Sequence, residues 1–595
     1  MISFIKKYFK NFTYFFKYLR YRIFVIMGLT LSFGLMDGLG LTMFLPLFQI
    51  AADKTEKGTN TISKNSNNVV SIFQKLHIEF TLFNMLIIMV LFFVFKGIFY
   101  YIKGMYDAKA SRFFIIKIRK GIIGKFSNLN YKYFVTSDFG RIQNLMTNEV
   151  NNLLFGFREY LNVLQNFVMI VVYVSFAFVL NPQFCLLIII GGALFNLIFQ
   201  KIYKVSKDAS RRLVVAGNDY QGRIIQFVNN FKYLKATGLV RKYAQKINYN
   251  IEEIETINLK IGKINAFTNA IREPILILVV ASVILFQVNV LNGKLSTIII
   301  SLLFFYRALA SVTNFQGSYN NFIGKIGTME NIAAFEDELD ANMEVYSSKE
   351  FSKFKSNLEL KNYSFSYGNT TILNNINLKI NKNQTIAFVG ESGSGKTTLV
   401  NVLTGLLNSS DGYFIDEIPL TKLDVVSFQS RIGYISQESV IFNDSIFNNV
   451  TLWGGDSIEV KERFNEAIKK SQLWDLVNGL EMKENTLLGN NGINLSGGQK
   501  QRVSIARELY KNIDILILDE ATSALDSETE KYIQENIDSL KGKYTIVIIA
   551  HRLATIKNVD EVVLMSKGEI IDKDSFENLK IKSPKFKQMV DLQEV

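Results

Sequence analysis

Gly390-Glu391-Ser392-Gly393-Ser394-Gly395-Lys396-Thr397-Thr398 is the run of residues around which the C-terminal half is organised. It follows the apolar run Thr385–Val389 and matches the spacing GxxxxGK(S/T), which predicts a strand, a glycine-rich turn and the start of a helix. The glycines let backbone N–H groups close around phosphate oxygens, Lys396 adds a positive charge, and the Thr397 hydroxyl can bind Mg²⁺. An ordinary glycine turn is the alternative, and the motifs downstream argue against it.

Length and composition predict at least two domains, one of them in a membrane. The chain has 595 residues, of which 48% are hydrophobic, and a net charge of +14. Its long apolar runs lie in the first half, and its basic residues lie beside those runs. This placement favours membrane topology signals over a nucleic-acid partner. One cysteine, Cys185, and two histidines exclude a disulfide framework and a Cys- or His-rich metal site.

Six apolar runs in residues 1–335 predict an α-helical membrane domain with both chain ends in the cytoplasm. Each run is long enough to cross about 30 Å of hydrocarbon. The segments between them at 103–132 and 203–263 are basic, which places them on the cytoplasmic side. Residues 1–22 predict an amphipathic helix on the cytoplasmic leaflet. Buried helices of a soluble protein are the alternative, and the charge asymmetry disfavours them. The runs cover about 23–50, 80 onward, 161–180, 183–202, 268–290 and 296–316.

The pattern changes after the last run. Residues 336–356 are acidic and then rich in Ser and Lys, which predicts a linker, and 357–595 alternate short strands and turns, which predicts an α/β P-loop domain. The predicted fold class is therefore six long transmembrane helices followed by an α/β domain. Five further motifs follow the phosphate loop in order: Tyr434-Ile435-Ser436-Gln437, Leu495-Ser496-Gly497-Gly498-Gln499, Ile513–Glu520, Ser523-Ala524-Leu525-Asp526 and Ile548-Ile549-Ala550-His551.

An Asp-Glu pair ends one of these aliphatic runs. Asp519 closes a predicted strand, so its carboxylate emerges at the C-terminal edge of the sheet, where it can hold Mg²⁺ directly or through water. Glu520, one residue on, is placed to polarise an attacking water, and a general base contributes about 10²–10⁴-fold in rate. A solvated turn is the alternative for such a pair.

Residues 357–595 resemble the nucleotide-binding domain of an ABC transporter, because LSGGQ at Leu495–Gln499 is diagnostic of that superfamily. With the six N-terminal runs fused to it, the whole chain resembles an ABC exporter half-transporter. Lipid and lipid-linked oligosaccharide flippases and multidrug exporters share this organisation. The resemblance implies an ATP hydrolase coupled to transport, with ATP and Mg²⁺ as cofactors.

The same resemblance assigns roles to residues at the matching positions. It implies catalytic roles for Glu520, His551 and Gln437, of which His551 would hydrogen-bond the γ-phosphate. Metal ligands would be Thr397, Gln437 and Asp519. Tyr367 would stack on adenine, although a core position is an equal alternative from sequence alone. The nucleotide-binding set is Tyr367, Gly390, Glu391, Ser392, Gly393, Ser394, Gly395, Lys396, Thr397, Thr398, Ser496, Gly497, Gly498, Gln499 and Asp526.

The resemblance also implies a second copy of the chain. Ser496-Gly497-Gly498 opens a helix that can offer N–H groups to phosphate. In the family this element faces the nucleotide held by the other subunit, so two chains complete two sites, and a homodimer is the simplest assembly. One departure is the segment Thr486–Gly492, which lacks a glutamate that many exporters carry before the signature. In the family this segment is thought to contact the membrane helices of the other subunit, so the contact made by that glutamate is not carried over to this chain.

Charged residues inside the predicted spans mark a candidate substrate cavity, because such residues are costly in a membrane and usually face an interior space. The candidates are Asp37, Lys96, Arg272 and Arg307. Arg272 pairing with Glu273 and Lys96 reaching the membrane surface are the alternatives.

Cationic groups in such a cavity favour an anionic amphiphile, namely a lipid or a lipid-linked glycan. The alternatives are a multidrug or peptide exporter and, from another class, an ATP-gated channel or regulator. We expect a multi-pass protein of the bacterial inner (cytoplasmic) membrane with its ATPase domain in the cytoplasm, membrane lipid around it and no nucleic-acid partner.

Overall fold

The computed structural model describes residues 10–44, 47, 81–180, 182–289, 295–344, 347–407, 412–519, 535, 538–550 and 552–593. Two compact units divide the chain. The first comprises Met1–Leu129 and Ser137–Met343, and the second comprises Asn130–Thr136 and Glu344–Val595. The division after Met343 lies within the segment 336–356 that the sequence predicts as a linker.

The first unit consists of helices. Residue 336 and its neighbours, predicted as the start of the linker, continue the last of these helices. A π-helical turn, Leu145–Glu149, joins two of them. The helices of the first unit are α1 Lys10–Leu19, α2 Arg22–Thr42, α3 Leu82–Phe126, α5 Phe139–Asn144, α6 Val150–Leu180, α7 Pro182–Asn229, α8 Phe231–Ala236, α9 Val240–Asn289, α10 Leu295–Ile323 and α11 Ile326–Ala341; α4, Tyr131–Thr136, belongs to the second unit.

Helix lengths agree with spans that continue beyond the hydrocarbon layer. α3 has 45 residues, which at 1.5 Å per residue makes it about 68 Å long, more than twice the hydrocarbon thickness. Among the described residues, three segments are long and apolar enough to cross a membrane: Arg22–Thr42, Leu82–Phe126 and Phe139–Val179. The other three predicted runs lie on α7, α9 and α10, so the total of six remains a prediction.

The N-terminal helix α1 packs on the helices of the first unit. Phe15 and Leu19 are fully buried, and the Phe15 ring stacks on Tyr160 with centroids 4.6 Å apart. The Tyr18 hydroxyl donates to Oε2 of Glu336 on α11 at 2.6 Å. The predicted amphipathic helix therefore buries one face against protein.

Helix α11 binds four other helices through acidic side chains. Two of the contacts are bidentate arginine–carboxylate pairs, which fix orientation as well as distance. The other two are a tyrosine hydrogen bond and a lysine ion pair. The four contacts are Tyr18–Glu336, Lys125–Asp340, Arg141–Glu338 and Arg211–Glu330. Because α11 is the last helix before the second unit, its position is set by α1, α3, α5 and α7 together.

The second unit contains two sheets. Four strands form one in the order β2-β1-β4-β5, and six form the other in the order β10-β9-β3-β8-β7-β6. The strands are β1 Asn357–Tyr367, β2 Thr370–Asn381, β3 Thr385–Val389, β4 Tyr413–Ile415, β5 Ile418–Pro419, β6 Ile432–Ile435, β7 Ile515–Asp519, β8 Thr545–Ile549, β9 Glu561–Ser566 and β10 Glu569–Asp574. The helices are α12 Lys396–Leu403, α13 Val425–Gln429, α14 Ile446–Thr451, α15 Ile458–Lys470, α16 Trp474–Gly479, α17 Gly497–Tyr510, α18 Phe576–Lys582 and α19 Pro584–Asp591.

The six-stranded sheet explains where polar motifs gather. Strands β3, β7 and β8 are buried along their whole length, as uninterrupted aliphatic runs in a parallel sheet should be. β8 pairs in parallel with both β3 and β7. The C-terminal ends of the three strands therefore lie at one edge of the sheet, which is where ligands bind in such folds.

The short helix α4 lies in the chain between α3 and α5 of the first unit, yet it packs with the second unit. Tyr131 lies partly buried against the core that Phe365 helps to form. Lys132 Nζ lies 5.3 Å from the centroid of the Phe365 ring. One segment of the helical half is thus part of the α/β unit.

Candidate nucleotide-binding site

The phosphate-loop motif forms the strand, turn and helix that its sequence predicts. The loop leaves β3 at Gly390, whose φ is +149°, and reaches α12 through Gly395, whose φ is +100°. A Cβ on Gly390 would lie 2.2 Å from the Met565 carbonyl oxygen, so only glycine fits there. The backbone at the start of α12 can then bind phosphate through free N–H groups.

Lys396 places its charge inside this loop. Its ammonium is buried and donates to the carbonyl oxygens of Gly390 at 2.8 Å and Glu391 at 3.0 Å. Thr397 follows it on the exposed surface of the first helical turn. A buried cation over a ring of backbone groups is suited to a polyphosphate ligand.

A turn between β9 and β10 supports the phosphate loop. The sequence analysis did not predict this support. The Gly568 N–H donates to the Ser394 carbonyl oxygen at 3.1 Å. Gly568 has a φ of +82°, and a Cβ on it would lie 2.2 Å from the Ile372 carbonyl oxygen. The glycine of the Lys567-Gly568 pair, between two strand patterns, could have predicted the turn itself.

Asp519 lies at the end of β7, as the sequence predicts, and is 9% exposed. The Tyr434 hydroxyl on β6 donates to its Oδ2 at 2.8 Å. Burial, and then the Asp519 carboxylate, raise the pKa of Tyr434, so the phenol stays protonated and can donate. Mg²⁺ is commonly held by one or two carboxylates together with substrate phosphates. The Asp519 carboxylate, at the edge of the sheet where ligands bind, could be one of these ligands. Tyr434 opens the Tyr434-Ile435-Ser436-Gln437 motif, but the sequence analysis assigned a role only to Gln437.

The predicted catalytic residues are only partly described. Gln437 is exposed, two residues beyond the end of β6. Glu520, His551 and Asp526 lie outside the described residues, although the strands that lead to the first two, β7 and β8, are adjacent. Their roles remain predictions.

The LSGGQ motif begins α17. The Ser496 hydroxyl accepts from the Gln499 N–H at 3.3 Å, and Gln499 Oε1 accepts from the Ser496 N–H at 2.9 Å, which is a capping box. Ser496 and Gly497 are exposed, whereas Gly498 is buried. The helix N-terminus is therefore formed and exposed, so its N–H groups are accessible to a phosphate.

Tyr367, the predicted adenine partner, ends β1 and is half-buried. Its ring packs edge-on against Phe365, with centroids 5.0 Å apart. Part of the ring therefore belongs to the core, and the remainder is available to a ligand.

The charged residues of the membrane half differ in their surroundings. Asp37 is 1% exposed and forms an ion pair with Lys96 at 2.6 Å, and Tyr173 donates to its second oxygen. Lys96 is thus paired with an acid of a neighbouring helix. The alternative from sequence was that its side chain reaches the membrane surface. Arg307 is exposed on α10, and the described residues provide no ion pair for it. The side chain of Arg272 lies outside the described part of the chain.

Two family models match the two halves of the chain. The model described as the ABC transporter transmembrane region matches residues 27–313, and the model described as ABC transporter matches residues 373–523. The chain is therefore an ABC transporter in which the transmembrane region and the ATPase domain are fused, and it couples ATP hydrolysis to transport. The resemblance seen in the LSGGQ and phosphate-loop motifs is confirmed.

Particular relatives extend over most of the chain. An ATP-dependent lipid A-core flippase from Francisella tularensis subsp. tularensis is 29% identical over 477 residues, covering 78% of each chain. A heterocyst differentiation ATP-binding protein from Nostoc sp. is 28% identical over 493 residues, covering 81% of this chain and 80% of the relative. Among solved structures, a bacterial Atm1-family ABC exporter with ATP bound superimposes with a TM-score of 0.80 at 20% identity, covering 97% of this chain and 99% of that one. The predicted fold class is confirmed.

Proposed function

We propose that two copies of this chain use Mg²⁺ and ATP to flip an anionic amphipathic lipid or lipid-linked glycan across the bacterial inner membrane. The observation that carries the substrate proposal is Arg307, an exposed arginine on α10 inside a predicted span. A similar protein is named a lipid A-core flippase, which supports a lipid substrate. A multidrug exporter with the same organisation would require no such cation.

In the proposed ATP site, the phosphate loop and Lys396 bind the polyphosphate, while Asp519, Thr397 and Gln437 hold the metal. When bound, Mg²⁺ neutralises charge on the phosphates. Glu520 polarises water, and His551 donates to the terminal phosphate. The loop geometry and the position of Asp519 support the binding roles.

Two substitutions separate binding from hydrolysis. Glu520→Gln should abolish steady-state ATPase activity while ATP binding persists, because only the base is lost. Lys396→Ala should instead weaken ATP binding itself, because the lost charge faces the phosphates. Equilibrium binding of a fluorescent ATP analogue and phosphate release measure the two effects. Normal turnover by Glu520→Gln would contradict the assignment.

Each unit leaves apolar side chains exposed in a way that supports a dimer of identical chains. On α8, Phe231 and Tyr233 are 47% and 64% exposed. On the second unit, Val440, Phe442 and Trp453 are exposed as well. We propose that α8 of one copy covers this patch on the other, beside the signature helix of that other copy, which the nucleotide site of the first copy requires. With Cys185 replaced, paired cysteines at Tyr233 and Val440 should cross-link between chains, and cross-linked dimers should be absent when only one of the two is introduced.

The substrate proposal is tested at Arg307. A charge-assisted contact to phosphate contributes about 1.5–3 kcal/mol, so Arg307→Ala should weaken the response to an anionic lipid about 10- to 150-fold. Arg307→Lys should recover part of it, since a point charge remains without the bidentate fork. The measurement is the lipid concentration for half-maximal ATPase stimulation in vesicles that contain anionic lipid, neutral lipid or a drug panel.

The matched control is Arg241→Ala, an exposed arginine on α9 that lies outside the predicted runs. It should respond to lipid like the unmodified protein. An unchanged response in Arg307→Ala, or stimulation by neutral drugs alone, would replace the anionic-lipid proposal with the multidrug alternative.

A further inference from the structure

Tyr434 connects the strand that leads to Gln437 with the carboxylate of Asp519. Its O–H donates to Asp519 Oδ2 at 2.8 Å. Strands β6 and β7 run parallel with Tyr434 opposite Ile517, so Asp519 lies two residues, or about 6.6 Å, further along the sheet. The long phenol side chain spans this distance, which a serine or threonine in its place would not.

We propose that Tyr434 is a positioning residue for the metal site, whose hydroxyl fixes the rotation of the Asp519 carboxylate so that its other oxygen is directed at the cation of bound ATP. The inference rests on the proposed function, in which Asp519 holds Mg²⁺. Partners that orient a metal ligand matter nearly as much as the ligand, and their loss typically costs about 10- to 100-fold in metal affinity or activity. Tyr434 is the described side chain that donates to Asp519 in this way.

The backbone of Tyr434 is held by the signature helix. Its N–H donates to Oε2 of Glu508 on α17 at 3.3 Å, and the same oxygen accepts from Lys511 Nζ at 2.6 Å. The main chain of Tyr434 is thus fixed by Glu508 of α17 and by the pairing of β6 with β7. A phenol on a fixed backbone is suited to orienting a carboxylate, because its hydroxyl returns to the same place.

The helix α4 also reaches this position. Tyr131 packs against the same core cluster as Tyr434 and Tyr367, and all three are partly buried there. Tyr434 therefore packs against the core cluster that α4 also contacts.

The test is a comparison of ATP affinity with and without metal. In the full-length protein, the dissociation constant of a fluorescent ATP analogue is measured in EDTA and in saturating Mg²⁺. The constant in EDTA divided by the constant in Mg²⁺ gives the factor by which the metal strengthens nucleotide binding. Tyr434→Phe removes only the hydroxyl and should lower this ratio about tenfold while leaving the constant in EDTA unchanged. The Mg²⁺ concentration for half-maximal ATPase activity should rise by a similar factor.

Tyr363→Phe is the matched control. Tyr363 is 1% exposed, and its hydroxyl donates to the Leu407 carbonyl oxygen at 3.4 Å, so the variant also removes a buried phenolic O–H from the same unit. It should leave the ratio unchanged. An unaltered ratio in Tyr434→Phe, or an equal fall in Tyr363→Phe, would overturn the inference.

Two further outcomes are decisive. If Tyr434→Phe loses ATP affinity in EDTA, the hydroxyl supports the nucleotide pocket generally and the positioning role is wrong. If the unmodified protein shows no metal effect on ATP affinity and Asp519→Asn behaves like it, the proposed metal role of Asp519 fails instead. The control and the Asp519 variant thus separate failure of this inference from failure of the function on which it rests.

Discussion

The ion pair between Asp37 and Lys96 provides a quantitative test of how the helices of the membrane half are held together. The Asp37 carboxylate is 1% exposed, and Lys96 Nζ lies 2.6 Å from its Oδ1. Removing one partner of a buried pair leaves an uncompensated charge, which costs about 3–5 kcal/mol. Lys96→Met should therefore lower the free energy of unfolding by about that amount, since Met preserves the length of the side chain.

The double variant Asp37→Asn with Lys96→Met identifies the cause. It removes both charges and leaves neither uncompensated, so it should be more stable than Lys96→Met alone. With Asp37→Asn measured as well, the coupling energy of the pair should be about 0.5–3 kcal/mol. Unfolding of the purified protein in detergent, followed by intrinsic fluorescence, measures all variants, and Lys120→Met is the control because Lys120 is exposed on the same helix. If the double variant were no more stable than the single one, the loss would come from packing, and the reasoning from charge would be refuted.

Two other predictions concern topology and the support of the phosphate loop. With Cys185 replaced, a cysteine at Asn65 should react with an impermeant reagent from outside, and one at Ser348 only after permeabilisation; the reverse pattern would invert the orientation inferred from basic residues. Gly568→Ala should lower the unfolding temperature and the ATPase activity together, because its Cβ would lie 2.2 Å from a backbone oxygen. Gly542→Ala, which has a φ of +73° and open space around it, should cost only about 1–3 kcal/mol of backbone strain.

Local sequence pattern predicted the features that depend on neighbouring residues. The phosphate loop, the strand that ends at Asp519 and the helix that begins at Gly497 all appear where the pattern places them. In each case a short run of residues carries both the signal and the geometry.

Pattern could not predict which distant residues meet. Tyr434 and Asp519 are 85 positions apart, and their contact depends on β6 lying beside β7, which periodicity does not specify. Asp37 and Lys96 are 59 positions apart on different helices, so the sequence left Lys96 open to another interpretation. The membership of α4 in the second unit is likewise a tertiary fact, because six residues contain too little pattern to show what they pack against.

The hydrogen bond from Tyr18 to Glu336 has a consequence for biosynthesis, because it joins residues 318 positions apart. At about 5–20 residues per second, the ribosome delivers Glu336 between about 15 and 65 s after Tyr18. Throughout that interval α1 lacks its contact with α11, although Tyr160, on which Phe15 stacks, is made earlier. A helix with a basic side and an aromatic side can rest on the membrane surface meanwhile, so we expect lipid to cover the aromatic face of α1 until the nascent chain supplies its protein partners.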